Sequence, residues 1–194
     1  MKRARRFVLA TAFASAACAA LASSCASVPD SGRFTAVIGP DFEIYRVHVD
    51  TYLQRRCGTL DCHGQEGRPY RIYGFSGYRL YNLDAGLVSG REPTRIEEIR
   101  ANYQAIISLE PEETSRVMAE QAAEPNRLLF LRKPLRLERH KGGPAMAEDD
   151  PGYKCVVSWL RVNVVTGDGT PIPPDQRTFS PRAAQDCVNA TAFP

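Results

Sequence analysis

Histidine and methionine are scarce in this sequence of 194 residues, which contains three of each. The histidines are His48, His63 and His140, and the methionines that follow the initiator are Met118 and Met146. Imidazole and thioether groups are among the usual protein ligands of transition metals. A metal site that uses these two residue types must therefore draw on these five side chains.

The chain also lacks a strong net charge and an apolar run long enough to cross a membrane comfortably. Its formal charge is +3, and without the four cations at Lys2, Arg3, Arg5 and Arg6 that charge becomes −1. This balance gives no reason to expect a nucleic-acid partner. The apolar run from Phe7 to Leu21 has 15 residues, whereas a membrane-spanning helix needs roughly 20.

The first 25 residues have the regions of a secretory signal, namely a basic start, an alanine-rich apolar run and small residues at the end. The stretch from Leu21 to Cys25 resembles the lipobox of bacterial lipoproteins, in which the cysteine becomes the acylated first residue. We therefore expect residues 1–25 to be a signal peptide. The mature protein is expected in the periplasm or at the outer membrane as a lipoprotein, with residues 26–40 as a tether.

The stretch from Cys57 to Gly64 reads CGTLDCHG and contains the strongest chemical signal. Two cysteines followed at once by a histidine is the order that attaches a c-type haem, because each thiol adds to one vinyl group while the imidazole ligates the iron. Four residues separate these cysteines, whereas the usual attachment has two. The motif predicts Cys57 and Cys62 as haem attachment points and His63 as the proximal iron ligand.

A six-coordinate haem needs a second axial ligand, most often methionine or histidine. His140 and Met146 are both far from His63 in sequence and lie in or just after a Gly-Gly-Pro loop that can fold back over an iron atom. We favour His140 over Met146, and an open sixth position is a third alternative. His48 is predicted to be an exposed polar residue and Met118 a core residue.

Three other interpretations of the cysteines stay open. Structural zinc needs four ligands in tetrahedral array, and adjacent Cys62 and His63 cannot easily both reach one ion. A thiol nucleophile with a histidine base is conceivable, although an oxidising compartment favours a disulfide between Cys57 and Cys62. That disulfide would make the chain a cofactor-free, disulfide-braced envelope lipoprotein with a binding or structural role.

Cys155 and Cys187 are the cysteines left when the motif and the predicted leader are set aside. An even number of remaining cysteines in an oxidising compartment predicts that these two form a disulfide. In the chain-entropy description this bond would stabilise the fold by about 3 to 4 kcal/mol. It would also hold the C-terminal tail against the helix that carries Trp159.

Helical spacing of apolar residues predicts a mainly α domain over residues 41–165. Asp41 is placed to cap a first helix that continues to residue 56 and runs directly into Cys57. A capping box that starts at Thr94 predicts the most regular helix, which ends near Leu109. The apolar stripe of the first helix consists of Phe42, Tyr45, Val49 and Leu53.

Proline and glycine positions predict the remaining elements. Pro111 opens a short helix, and Pro151 opens another that carries Trp159. Residues 64–90, rich in glycine, proline and tyrosine, are predicted to be an irregular excursion whose aromatic rings line a haem pocket or fill the core. Residues 166–194 are predicted to be a loop-rich tail.

The motif and the second half of the chain resemble the cytochrome c-like modules of exported bacterial lipoproteins. The resemblance covers roughly residues 42–162 and departs from the family pattern in lacking a Met-Pro-Pro segment. It implies a small helical domain with long irregular loops and one covalently attached haem c. The residues that carry it are Arg55 to Gly64, Glu124 to Leu129, His140 to Gly143, Tyr153 and Ser158 to Leu160.

This resemblance implies an electron-transfer protein rather than an enzyme. It assigns Cys57 and Cys62 to haem attachment, His63 to the proximal position and His140 to the distal side. The implied partners are a redox protein of the cell envelope and, through an anchor at Cys25, the membrane. The basic residues near His140 form a solvated loop or pair with haem propionates or an anionic redox partner; they are Arg132, Lys133, Arg136, Arg139 and Lys141.

Overall fold

The structure, a computed structural model, describes residues 36–81, 86 and 88–192. The predicted signal peptide, the predicted acylation position Cys25 and most of the predicted tether lie outside these residues. Within the described part, no helix is both long enough and apolar enough to cross a membrane.

The first predicted helix is confirmed and ends at the haem-attachment motif. It is a continuous helical stretch made of α1 (Phe42–Ile44), a π-helical turn (Tyr45–Val49) and α2 (Asp50–Cys57). The side chain of Asp41 caps it, because its Oδ1 accepts a hydrogen bond from the Ile44 backbone N–H at 2.7 Å. The buried apolar residues of this stretch are Tyr45, Val49, Tyr52 and Leu53.

Five more α-helices follow in the described residues, so the prediction of a mainly α domain is confirmed. Short 3₁₀ turns at Pro125–Arg127 and Pro174–Gln176 connect some of them. Sheet structure in the described part is limited to isolated bridges. The helices are α3 (Ile96–Ile107), α4 (Pro111–Ala119), α5 (Leu129–Arg132), α6 (Pro151–Leu160) and α7 (Pro181–Thr191).

Helix α3 begins one residue later than its predicted capping box. Its N-cap is Arg95, whose backbone N–H donates to Glu98 Oε2 at 2.9 Å. Thr94 has a different role, because its hydroxyl donates to Gln54 Oε1 on α2 at 2.7 Å. Thr94 thus makes a long-range contact that the local sequence does not reveal.

The excursion that follows the motif is irregular in its described part, as predicted. Arg79 fastens it to α3 by donating to both carboxylate oxygens of Glu98 at 2.8 Å. Asn102 adds a second anchor, since its side chain accepts from Tyr73 N at 2.7 Å and donates to Tyr73 O at 2.8 Å. Two buried polar residues of α3 thus position the chain that leads away from His63.

The C-terminal tail differs from its prediction. The sequence predicts a loop-rich tail over residues 166–194, but α7 occupies eleven of these residues. The sequence permits this helix, because Ser180 caps it, Pro181 starts it, and small buried residues recur at Ala183, Cys187 and Ala190. Val37–Pro194 form one compact unit, so the tail belongs to the domain rather than trailing from it.

The predicted disulfide between Cys155 and Cys187 is confirmed and joins α6 to α7. Helix α6 also carries the fully buried Trp159, whose Nε1 donates to the carbonyl oxygen of Asp41 at 2.7 Å. This bond ties the start of the first helix to the C-terminal end of α6. The core therefore supports the helix that ends at Cys57.

Candidate functional site

The loop from Cys57 to His63 closes on itself although four residues separate its cysteines. The backbone N–H of His63 donates to the carbonyl oxygen of Cys57 at 2.8 Å, and that of Cys62 donates to the carbonyl oxygen of Thr59 at 2.9 Å. Leu60, in the middle of the loop, is 56% exposed. The extra residues therefore project outward, and both cysteines stay beside the histidine.

Glycines make this closure sterically feasible. A Cβ on Gly64 would lie 2.0 Å from the carbonyl oxygen of Gly58, and a Cβ on Gly77 would lie 2.4 Å from that same oxygen. Contacts this short cannot be made by a real side chain. Gly58 and Gly64 are both buried, so the loop depends on direct backbone packing at its two ends.

The imidazole of His63 is held in one tautomer. Its Nδ1 lies 2.7 Å from the carbonyl oxygen of Tyr70, and since a carbonyl can only accept, Nδ1 carries the proton. Nε2 is then the nitrogen with the available lone pair, which is the usual state of a metal-ligating histidine. Burial lowers the pKa of His63; the hydrogen bond to Tyr70 opposes this shift, while His140 and Arg68 add to it. A neutral ring at neutral pH is thereby favoured.

His140 is oriented in the same way. Its Nδ1 lies 2.8 Å from the carbonyl oxygen of Gly143, so here too Nδ1 donates. The rings of His63 and His140 have centroids 6.2 Å apart and planes within 9° of parallel. The structure thus brings together two histidines that are 77 positions apart in sequence.

Both histidines and both cysteines line one cavity of about 290 Å³ that is partly open to solvent. This volume is near the lower end of the range of small-molecule sites, about 300 to 1,000 Å³. Most of its wall is apolar. The apolar contributions include Leu109 from the α3–α4 connection and Leu129 and Phe130 from α5.

The charged groups in the cavity wall are cationic. Among its described lining residues, Arg56 and Lys133 carry positive charge and no residue is acidic. Arg56 Nε also donates to the carbonyl oxygen of Ala145 at 2.6 Å, which ties α2 to the loop after His140. An apolar ligand with anionic substituents would match this wall.

The two cysteines of the motif are free thiols in the structure. Burial raises the pKa of Cys57 to about 12; the neighbouring Cys62 adds to this shift and Arg56 opposes it. Cys57 is therefore a neutral thiol at pH 7. A nucleophilic cysteine needs a thiolate, so the environment of Cys57 does not favour the thiol-nucleophile interpretation.

Tyr70 presents an unsatisfied polar atom beside the cavity. It lines the cavity, its ring centroid lies 4.7 Å from that of His63, and its hydroxyl is buried without a hydrogen-bond partner. Buried hydroxyls are normally paired. The backbone and side chain of Tyr70 thus both belong to the site, which the sequence suggested only through a general enrichment in aromatic residues.

The remaining histidine and methionines lie away from the cavity wall. Met146 and Met118 are both buried in the protein interior, as predicted for Met118. His48 is half-buried rather than exposed, because its ring packs on Phe179 with centroids 5.0 Å apart. Of the two proposed distal ligands, His140 lines the cavity and Met146 does not.

The donor set fits haem better than zinc. A structural zinc site needs four protein ligands, and the described residues contain no group of three histidine, cysteine or acidic residues that could hold a metal ion. Haem brings its own equatorial nitrogens and needs only one or two axial ligands from the protein. Two imidazoles, two free thiols and an apolar wall meet that requirement.

Comparison with protein-family models, with curated proteins and with solved structures finds no match to this chain. The functional argument therefore depends on the site itself. That site combines two free thiols, two imidazoles whose Nδ1 atoms donate to backbone carbonyls, and a cationic, otherwise apolar wall.

Proposed function

We propose that this protein binds one haem c through Cys57 and Cys62, with His63 as the proximal iron ligand, and that it transfers electrons in the cell envelope. One observation carries the proposal, namely that both thiols and the correctly protonated ring of His63 line the same apolar cavity. The order of these residues in the sequence is also that of a haem-attachment motif.

The chemistry of attachment is compatible with the state of the cysteines. Addition of a thiol across a vinyl group forms one C–S bond and moves the thiol hydrogen to the neighbouring vinyl carbon, so no oxidant is consumed. Each attachment needs a cysteine that is not in a disulfide. Cys57 and Cys62 meet this condition, whereas Cys155 and Cys187 are already bonded to each other.

The residues around the cavity have distinct roles in this account. When bound, haem supplies a one-electron couple at its iron. His63 offers Nε2 as a ligand, and the carbonyl of Tyr70 fixes the orientation of the ring. Leu129 and Phe130 would limit the access of water to a bound haem, which affects its redox potential. Arg56 is placed to offset the negative charge of a propionate.

The proposed setting follows from the leader and from the surface charge. Export as a lipoprotein anchored at Cys25 would place the domain in the envelope, where its partner would be another redox protein. Arg136, Arg139 and Lys141 are exposed next to His140. These three cations would suit an acidic surface on that partner.

The proposal is tested with cysteine variants expressed in a host that has a cytochrome c maturation system. The wild-type chain should gain the mass of one haem under denaturing conditions, and each of Cys57→Ala and Cys62→Ala should reduce the yield of that species. The double variant should carry no covalent haem. The control is His48→Ala, which changes a histidine outside the cavity wall and should load like wild type; covalent haem in the double variant would contradict the proposal.

The alternative is a cofactor-free envelope lipoprotein braced by disulfides. The observed bond between Cys155 and Cys187 shows that the chain does use such bracing. This alternative predicts a second bond between Cys57 and Cys62, and hence a colourless mature protein with no titratable thiol. A thiol count on the denatured and reduced protein distinguishes the two functions together with the visible spectrum, because reduction frees Cys155 and Cys187 in both cases but frees Cys57 and Cys62 only when they form a disulfide.

A further inference from the structure

We propose that the rings of Tyr45, Tyr103 and Trp159 form a relay that accepts one oxidising equivalent, which comes to rest on Tyr45 while its phenolic proton passes to Asp50. The oxidant is a one-electron acceptor that meets the cluster from outside, such as an oxygen-centred radical. This function goes beyond the proposed binding of haem and does not depend on it.

The three rings contact one another. The ring centroid of Tyr45 lies 5.5 Å from that of Tyr103 and 5.2 Å from that of Trp159, and the centroids of Tyr103 and Trp159 are 6.3 Å apart. These separations lie within the range of about 4.5 to 7 Å for aromatic pairs in contact. Tyrosine and tryptophan are the aromatic side chains that give up an electron most readily. An electron vacancy formed on one ring can therefore pass directly to the other two.

The rings differ in their access to solvent. Tyr103 is half-buried, whereas Tyr45 and Trp159 are fully buried. An external oxidant can therefore take an electron from Tyr103 first. A vacancy that moves on to Tyr45 is then shielded from reductants in the solvent.

The proton on each ring decides where the vacancy is stable, because an oxidised phenol or indole is strongly acidic. The hydroxyl of Tyr103 donates to the carbonyl oxygen of Pro40 at 2.6 Å, and Trp159 Nε1 donates to that of Asp41 at 2.7 Å. A backbone carbonyl accepts a hydrogen bond but is too weak a base to take the proton at neutral pH. Neither of these two rings can therefore lose its proton to its present partner.

Tyr45 has a carboxylate as its partner. Its hydroxyl donates to Asp50 Oδ1 at 2.9 Å, and Asp50 is 1% exposed. This distance lies within the reach of about 2.6 to 3.2 Å that a general base needs. When the ring of Tyr45 gives its electron to the relay, its O–H bond breaks and the proton forms an O–H bond on Asp50. The products are a neutral phenoxyl radical and a carboxylic acid, and reduction reverses both changes.

The surroundings of Asp50 present it as a proton acceptor. Asn102 Oδ1 accepts from the backbone N–H of Tyr73 at 2.7 Å, which fixes the amide so that Nδ2 donates to Asp50 Oδ1 at 3.0 Å. Gln54 Nε2 donates to the other carboxylate oxygen. Donors on both oxygens suit an ionised carboxylate, which can only accept. Oxidation with proton transfer would turn this buried anion and its phenol into a neutral pair, which removes a charge that is costly to bury.

The test oxidises the mature protein with tris(bipyridine)ruthenium(III), which is generated by a light flash and takes one electron to become ruthenium(II). Samples come from the envelope fractions of hosts with and without a cytochrome c maturation system, and any haem is kept ferric. Freeze-quenched electron paramagnetic resonance detects the radical. Growth on ring-deuterated tyrosine narrows a tyrosyl spectrum and leaves a tryptophan spectrum unchanged.

We expect a tyrosyl radical in the wild-type protein that survives brief treatment with ascorbate, with or without haem. Tyr45→Phe should lose this signal, whereas Tyr81→Phe, which changes a tyrosine that is 65% exposed, should keep it. Tyr103→Phe should slow its formation. Asp50→Asn should slow its formation at least about 100-fold, the lower end of what a positioned base contributes.

Circular dichroism and urea unfolding check that each variant is folded. If Asp50→Asn is not, Tyr45→Phe decides, because it leaves Asp50 with two of its three donors. A full ascorbate-resistant signal in Tyr45→Phe, or no such signal in wild type, would overturn the inference. So would formation in Asp50→Asn or Tyr103→Phe at the wild-type rate. Absence of covalent haem would overturn the proposed function and leave this inference standing.

Discussion

The backbone N–H of His63 donates a hydrogen bond of 2.8 Å to the carbonyl oxygen of Cys57. This bond spans the whole interval between the first cysteine and the histidine, and it explains how four intervening residues fit where the usual motif has two. The surplus residues form an exposed bulge, as the 56% exposure of Leu60 indicates. The two ends of the loop are therefore more sensitive to substitution than its middle.

Gly64→Ala should destabilise the protein by more than about 2 kcal/mol, because the new Cβ would lie 2.0 Å from the carbonyl oxygen of Gly58 and would force the loop apart. Urea unfolding measures the loss, and the yield of haem-bearing protein should fall with it. The matched control is Gly90→Ala, since nothing lies within 4 Å of a Cβ there. Equal stability of the two variants would contradict the packing described for the loop.

Gly142→Ala should shift the His140 ring within the cavity without preventing haem attachment. The added methyl group would lie 3.2 Å from Cε1 of His140, which is close enough to shift the ring but remote from both cysteines in sequence. The expected result is a normal haem mass with a visible spectrum that differs from that of wild type. Identical spectra for the variant and wild type would show that the ring position does not depend on this contact.

Acid should destabilise the fold partly through Glu98. Burial alone would raise the pKa of Glu98, but the hydrogen bonds from Arg79 and from two backbone N–H groups lower it overall. Because the folded-state pKa lies below the unfolded value of about 4.3, the unfolded chain takes up the proton first as the pH falls. The contribution of ionised Glu98 to the unfolding free energy is therefore present above pH ~4.3 and is lost as the pH falls through the folded-state pKa.

Glu98→Gln should remove that part of the pH dependence of the unfolding free energy. At pH 7 the substitution should also lower the unfolding free energy by about 3 to 5 kcal/mol. The reason is that Arg79, whose side chain is only 8% exposed, would lose its ionic partner. Glu97→Gln changes the exposed neighbour on the same helix and serves as the control. A pH profile of Glu98→Gln that parallels wild type would refute this assignment.

The disulfide between α6 and α7 should contribute about 3 to 4 kcal/mol to stability in the chain-entropy description. Replacing both Cys155 and Cys187 by alanine should lower the unfolding free energy by that amount. The loss should be similar with and without haem, because neither cysteine lines the cavity. Unfolding in denaturant measures this loss of unfolding free energy. A loss below about 1 kcal/mol would mean that α7 is held by packing alone.

Much of the helical framework is predictable because its cues are local. Asp41 as a cap, the apolar stripe that ends at Cys57 and Pro151 as a helix start can all be recognised within a few residues. Helix α7 is the exception, since the glycines and prolines around it favour a loop although its own cues are equally local. Those cues are the Ser180 cap, Pro181 at the first position and the period of small buried residues.

The site was only partly predictable, for a physical reason. Cys57, Cys62 and His63 are identified by their order in the sequence, whereas the carbonyl groups that orient His63 and His140 belong to the backbone of Tyr70 and Gly143. Every residue has a backbone carbonyl, so the identity of a residue does not indicate whether that carbonyl accepts a hydrogen bond from a histidine. The apolar wall likewise comes from segments distant in sequence, which only the fold brings together.

The most direct test of the central claim is an intact-mass measurement and a reduced visible spectrum of the wild-type protein, purified from the envelope fraction of a host with a cytochrome c maturation system. The account predicts a denaturation-resistant mass gain of one haem and sharp c-type absorption bands. A colourless protein, lighter by the hydrogens of two disulfides, would contradict it and identify the cavity residues as part of a cofactor-free structural protein.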